Sequence, residues 1–292
     1  MNTNQRLLRP GLVVLLLASM LLLGYYLGST GTGPSAAAAL AAVVNSFAPT
    51  PTAFVPIGQP IPIKPLTGLT SLNATVQINA NGLLNGQRVQ GGLTATVATN
   101  GKDQTQINVS GPLLGDIIAQ VGGSAMSLFT PSQIQIYKVP QGTYVVVKSL
   151  FDLCIKPKAA NSTEAVERMS PQTLLGMFTS PEVARGTLVG NGTVNGTAVK
   201  HYVIDGPTFL AAAQRSSDPN LSDFGNSLWS AQNADLYVST ATQYPVAFQG
   251  SYSGQFDPLK FEGDFDVRID VTGINQNVQI NLPASCKNPI SQ

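Results

Sequence analysis

TLVGNGTVNGTAVKHYVID, residues Thr187 to Asp205, reads as two β-strands folded back on an Asn-Gly turn. Leu188, Val194, Tyr202 and Ile204 supply strand-forming side chains. Asn191-Gly192 and Asn195-Gly196 each offer the positive-φ residues that a tight hairpin turn requires, and only one of the two pairs can close it. The same theme of alternating strands and glycine punctuation continues on both sides of this hairpin, so the fold is mainly β.

Working back towards the amino terminus, Gly142 to Leu150 and Gln133 to Val139 are strands joined at Pro140-Gln141, the former running on into Cys154. The continuous apolar run Tyr144 to Val147 marks a strand buried on both faces. Three alternating segments lie further upstream, at Ser71 to Asn81, Val89 to Thr99 and Gln104 to Ser110. They place Leu72, Ala74, Val76 and Ile78, then Leu93, Ala95 and Val97, then Ile107 and Val109 on one face of an antiparallel meander. Working forward, Ala234 to Thr240, Tyr244 to Gly254, Lys260 to Thr272 and Asn277 to Leu282 read as further strands, giving about ten.

Four segments switch to helical spacing. Pro112 to Val121 carries Leu113, Leu114, Ile117, Ile118 and Val121 on one stripe, and Ser170-Pro171 opens a helix through Leu174, Leu175, Met177 and Phe178. Pro207 to Gln214 and Leu221 to Ser230 are short amphipathic helices. Strands in blocks with helices inserted at two crossovers predict an α+β, mainly β fold: one large curved antiparallel sheet, a half-barrel, with short helices covering its concave apolar face. A doubly wound α/β sheet would need a helix between successive strands, and that regular alternation is missing.

The chain has 292 residues, and its first 68 read as anchor and linker. Arg6 and Arg9 precede the apolar run Gly11 to Gly28, eighteen residues long enough to cross a hydrocarbon core with the amino terminus left in the cytoplasm. The run is either a retained membrane anchor or a signal cleaved near Ala36 to Ala39. Residues 1–34 are thus a cytoplasmic stub with anchor or signal, 35–68 an Ala-rich and then Pro-rich linker, and 69–292 the folded domain. That layout predicts a domain outside the cytoplasm, tethered to the cell membrane through the N-terminal helix or secreted. Charged residues make up 11% of the chain and 16 basic residues nearly cancel 15 acidic ones. No basic patch offers the electrostatic footprint that nucleic acid requires, so nucleic acid is not an expected partner.

Two cysteines, Cys154 and Cys286, in an exported chain predict one disulfide closing a loop of about 130 residues, with two free buried thiols as the alternative. The single histidine, His201, has neither a G-x-S-x-G nucleophile nor an evident carboxylate to orient it. Glu262, Asp264, Asp266 and Asp270 alternate along one strand, which makes them either a solvated outer face or a carboxylate row able to hold Ca²⁺. Six N-x-[ST] sequons matter only in a glycosylating host. No phosphate loop or dinucleotide fingerprint is present. No catalytic residue, metal site or cofactor is predicted, and the chain is not read as an enzyme.

What remains is apolar surface beyond the ordinary needs of one sheet and a few small helices. Val76, Ile78, Leu93, Val97, Ile107, Leu114, Ile117, Ile118, Val121, Met126, Phe129, Ile136, Leu174, Leu175, Phe178 and Phe265 are the candidate interior. Helices packed tightly on the sheet make these residues an ordinary core; helices standing off enclose a cavity for acyl chains. The segment G-T-V-N-G-T-x-x-x-H-Y at Gly192 to Tyr202, with A-D-L-Y-V-S at Ala234 to Ser239 and the anchor-then-meander layout, resembles the mycobacterial LppX/LprG lipid-carrier lipoproteins and, in shape, the LolA and LolB proteins. The resemblance spans about Leu69 to Pro283. It implies a half-barrel around a lipid-holding cavity, an acylated lipid as partner, and a role in lipid or lipoprotein transport within the envelope. The chain departs from that pattern in having no lipobox cysteine after the apolar run, and in its Cys154 and Cys286 pair. A domain of the envelope that binds other proteins or senses stress, without a cavity, is the alternative function.

Overall fold

The computed structural model describes residues 58–66, 69–101, 104–122, 131–149, 152–156, 171–256 and 260–291. Its elements in chain order are β1 (Gln59–Pro60), β2 (Ser71–Leu84), β3 (Gln87–Asn100), β4 (Gln104–Ser110), α1 (Pro112–Gly122), β5 (Gln133–Val139), β6 (Gly142–Lys148) and β7 (Asp152–Lys156). They continue with α2 (Pro171–Thr179), β8 (Arg185–Val194), β9 (Thr197–Ile204), α3 (Gly206–Gln214), α4 (Pro219–Ser227), β10 (Leu228–Ala231), β11 (Ala234–Ser239), β12 (Pro245–Phe256), β13 (Phe261–Ile274) and β14 (Ile290–Ser291).

The strands form one sheet in the order β1-β8-β9-β11-β12-β13-β2-β3-β4-β5-β6-β7-β14, with β10 paired to β12 beside β11. The sheet is curved and unclosed, mostly antiparallel, and the helices are few and short. The mainly β half-barrel expected from the alternation is thus the observed fold. Neighbours in sequence are mostly neighbours in the sheet, as hairpin connections dictate.

Asn195-Gly196, and not Asn191-Gly192, closes the central hairpin. Both residues adopt left-handed conformations, with φ of 50° and 74°, while Asn191 and Gly192 lie within β8, paired with Lys200 and Val199. The β2–β3 hairpin uses the same chemistry at Asn85-Gly86, with φ of 52° and 80°. Both strands of that hairpin therefore run to 14 residues, longer than the alternating cores at Ser71 to Asn81 and Val89 to Thr99.

A second glycine pattern crosses the sheet. Gly254 faces Gly263, and Gly263 faces Gly82, so three adjacent strands carry glycine at one level. A Cβ on Gly82 would lie 2.3 Å from the Glu262 carbonyl oxygen, and one on Gly263, whose φ is 156°, would lie 2.5 Å from that of Asn81. The close approach of these backbones is why Gly263 interrupts the apolar alternation of β13.

The expected strand at Asn277 to Leu282 is not a strand. Val278 and Ile280 are buried, but backbone carbonyls in and just before this segment are held by side chains of the sheet: Asn100 Nδ2 donates to the Val278 carbonyl at 2.7 Å, and Ser71 Oγ donates to that of Gln276. The segment lies across the outer face of β5 to β7, where Tyr137, Val139, Tyr144, Val146 and Cys154 form a second apolar cluster with Val278, Ile280 and Cys286. This cover explains the double burial of β6. The Cys154–Cys286 disulfide pins it, with Cα atoms 5.2 Å apart and the two cysteines 132 positions apart in sequence; Cys286 sits in a 3₁₀ turn, Ala284–Lys287. The helix expected to run to Ser230 stops at Ser227, because Leu228 to Ala231 pair with β12 as β10.

At the other end, Gln59 and Pro60 pair with β8 and Ile61 and Leu66 are buried in the main core. Residues 58–66 of the Pro-rich stretch thus pack with the sheet. Among the described residues no helix is long and apolar enough to cross a membrane, and the Gly11 to Gly28 run lies outside them.

Candidate functional site: the apolar interior

Cross-strand register turns the local alternations into one inner surface. Leu188 faces Tyr202, which faces Leu236, then Phe248, Ile269, Val76, Ala95, Val109, Ile134, Val147 and Leu153, each on the next strand from β8 to β7. Every member of this row is apolar or aromatic. Those in the middle are essentially inaccessible, whereas Leu188 at one end is 51% exposed and Leu153 at the other 37%. A parallel row runs Val271, Ala74, Val97, Ile107, Ile136, Val145 and Ile155.

The helices close over this surface. On α1, Leu113, Leu114 and Ile117 are buried against β3. α3 is started by Asp205, whose carboxylate accepts from the Thr208 amide at 2.9 Å and from its hydroxyl at 2.6 Å, and α4 by Asp218 in the same way through the Asn220 amide. α3 and α4 pack closely enough that a Cβ on Gly225 would lie 2.5 Å from the Gln214 nitrogen. α2 delivers Leu175 and Phe178 to the centre. The Phe178 ring stacks on Phe248 at 4.4 Å and meets Phe209, Phe224 and Tyr252 at 5.7–6.3 Å.

Of the predicted interior, Val76, Leu93, Val97, Ile107, Leu114, Ile117, Leu175, Phe178, Ile136 and Phe265 are buried in one continuous cluster, with Ile78 packed against it. The side chains of Ile118, Val121 and Leu174, and all of Met126 and Phe129, lie outside the described residues. The prediction missed the aromatic centre of the cluster, Phe209, Phe224, Phe248, Tyr252 and Phe256. Its signal stands in β12, where the inward positions of FQGSYSGQF, Phe248 to Phe256, read aromatic, glycine, aromatic, glycine, aromatic.

The polar candidates lie on the opposite face. His201 Nε2 is 2.6 Å from Asp235 Oδ1, and the imidazole stacks on Tyr237 at 4.5 Å. Asp235 is thus a carboxylate partner that sequence reasoning did not find, because it sits on another strand. Asp266 and Asp264 accept from Ser251 and Ser253 at 2.6 Å, and Arg268 Nε donates to Asp270 at 2.7 Å. Asp264 and Asp266 are thus engaged with serines of β12, and Asp270 with an arginine of its own strand. Among the described residues no group of three or more potential ligands is gathered for a metal.

No family model matches the chain, and no curated protein does. Solved structures do. The chain is similar to LprF from Mycobacterium bovis at 14% identity and a TM-score of 0.42, over 75% of this chain and 91% of that one. It is similar to a LolA superfamily protein from Nitrosomonas europaea at 12% identity and a TM-score of 0.22, over 74% and 89% of the two chains. A DUF1329 family protein from Desulfovibrio piger matches at 10% identity and a TM-score of 0.24, over 74% and 89%.

Proposed function

We propose that this chain is an extracytoplasmic lipid-binding protein, tethered to the membrane by its N-terminal run, that holds acyl chains in the apolar interior between sheet and helices. It acts in lipid or lipoprotein transport in the envelope and performs no covalent chemistry. The observation that carries this is the uninterrupted apolar row from Leu188 to Leu153, exposed at both ends and covered in the middle by helices of only nine or eleven residues. Contacts between such a surface and its cover are non-directional, so acyl methylenes can replace helix side chains at little cost. The resemblance of Gly192 to Tyr202 and Ala234 to Ser239 to the lipid-carrier lipoproteins points the same way.

The test is the lipid content of the full chain, produced in a host that makes diacyl lipids and extracted with organic solvent. The wild-type protein is expected to carry about one lipid, and Leu175→Trp, which fills the interior from α2, to carry much less while its circular dichroism stays β-rich. Equal content in both proteins overturns the proposal. A second reading has its own support: Leu188 and Val189 are about half exposed on β8, where the two-residue β1 leaves most of that strand edge unpaired. Retention of a protein rather than a lipid would favour that interaction domain.

A further inference from the structure

Tyr252 stands out in the interior. Its ring is packed among Phe178, Phe209, Phe224 and Phe265, with centroids 5.5–6.3 Å away, and it is 2% exposed. Among the described residues no group hydrogen-bonds to its hydroxyl. The hydroxyl lies over Gly250, two residues back on the same strand face, where a Cβ would come within 2.6 Å of it. Glycine at that position leaves the oxygen its space. Phenylalanine occupies every neighbouring ring position and would fill this one equally well without a buried donor, which is costly to leave unpaired.

We propose that the Tyr252 hydroxyl is a polar reader inside the apolar interior, donating a hydrogen bond to an ester carbonyl of the bound acyl lipid; this rests on the lipid-binding function proposed above. The surroundings call for an acceptor that carries no donor, and in a diacyl lipid the ester carbonyl is a stronger one than an ether oxygen. With four Phe rings around Tyr252 and no partner at its hydroxyl among the described residues, a ligand group that accepts without donating leaves nothing unpaired, whereas an amide or alcohol would bring a second donor that the one hydroxyl cannot serve while donating its own proton. Burial raises the phenol above its ordinary pKa, which keeps the proton on the oxygen and the group a donor. Tyr252 thus places the ester linkage at the aromatic centre, with the acyl chain along the inner rows and the headgroup directed out of the interior.

The experiment offers the full chain mixed vesicles holding equal amounts of dioleoylphosphatidylcholine and its dioleyl ether analogue, which differ only in the carbonyls. The lipid retained by Leu175→Trp is subtracted as background. Wild type is expected to prefer the ester about fivefold, the worth of one neutral hydrogen bond, and Tyr252→Phe to retain the two lipids in nearly equal amounts, because only its hold on the ester falls. The lipid-free Tyr252→Phe protein is also expected to melt higher than wild type, since it buries no unpaired donor. If Tyr252→Phe does not fold, the ester carbonyl infrared band of lipid bound to wild type decides: a shift to lower frequency supports the hydrogen bond, and an unshifted band overturns it. No ester preference in wild type, or the same preference in Tyr252→Phe, overturns this inference and leaves lipid binding standing. Retention of neither lipid above background removes the lipid-binding function and this inference with it.

Discussion

At the scale of single residues, the buried Tyr252 couples stability to pH. Its phenol is raised above the ordinary value near 10 by burial, so in the folded chain it stays protonated where the unfolded chain ionises. The unfolded state then binds fewer protons, and stability falls as pH rises above about 10, by up to about 1.4 kcal/mol per pH unit for this one group. Tyr252→Phe removes that contribution; denaturant midpoints from pH 9 to 11 should fall less steeply in the variant, and parallel slopes would show that Tyr252 is not shielded. Gly263→Ala is expected to cost about 1–3 kcal/mol, since φ of 156° and the Asn81 carbonyl at 2.5 Å both oppose a Cβ. His201→Ala should cost no more than about 1 kcal/mol, because its partner Asp235 is partly exposed, and should leave lipid content unchanged. A loss of lipid in that variant would move the site to the outer face.

At the scale of elements, α2 is the piece on which the interior depends. Phe178→Ala removes the ring that joins Phe248 to the α3 and α4 aromatics and is expected to destabilise by about 3–5 kcal/mol in chemical unfolding. The strands were legible because one face of each is apolar: Val76, Leu93 and Ile107 were placed on the inner face from period-two alternation alone, and they are there. Of the aromatic centre only Phe178 was among the expected interior residues, since Phe209, Phe224 and Tyr252 come from three further elements and no local pattern states which helix lies over which strand. Asn277 to Leu282 misled for a complementary reason. Val278 and Ile280 alternate as a strand does, but what makes a strand is the ladder, and here the Val278 carbonyl is taken by the Asn100 side chain and that of Gln276, just before the segment, by Ser71. In the central hairpin two Asn-Gly pairs competed locally, and only the long-range register of β8 on β9 decides between them.

At the scale of the whole molecule, two apolar layers share the strands β5 to β7: the main interior on one side and the disulfide-pinned carboxy-terminal cover on the other. Replacing Cys154 and Cys286 by serine should lower stability by about 2–5 kcal/mol, given the 132-residue separation, and expose Val146 and Tyr144 by loosening that cover. Hydrogen exchange of β6 would then rise well before that of β12. The pairing of the cysteines was expected from their number and the export signal, but what they clamp was not, because residues 277–282 of the cover lie on the sheet without joining its ladder. The central claim is that acyl chains lie along the inner rows. It is tested most directly with a phosphatidylcholine carrying a photoreactive diazirine near the acyl terminus, added to the full chain, irradiated and mapped by peptide mass spectrometry. Labels on the inner positions of β2, β12 and β13, such as Val76, Phe248 and Ile269, and on α2 at Leu175 are the predicted result. Labels confined to the Gly11 to Gly28 run and to outer residues such as Leu83 and Trp229 would contradict it.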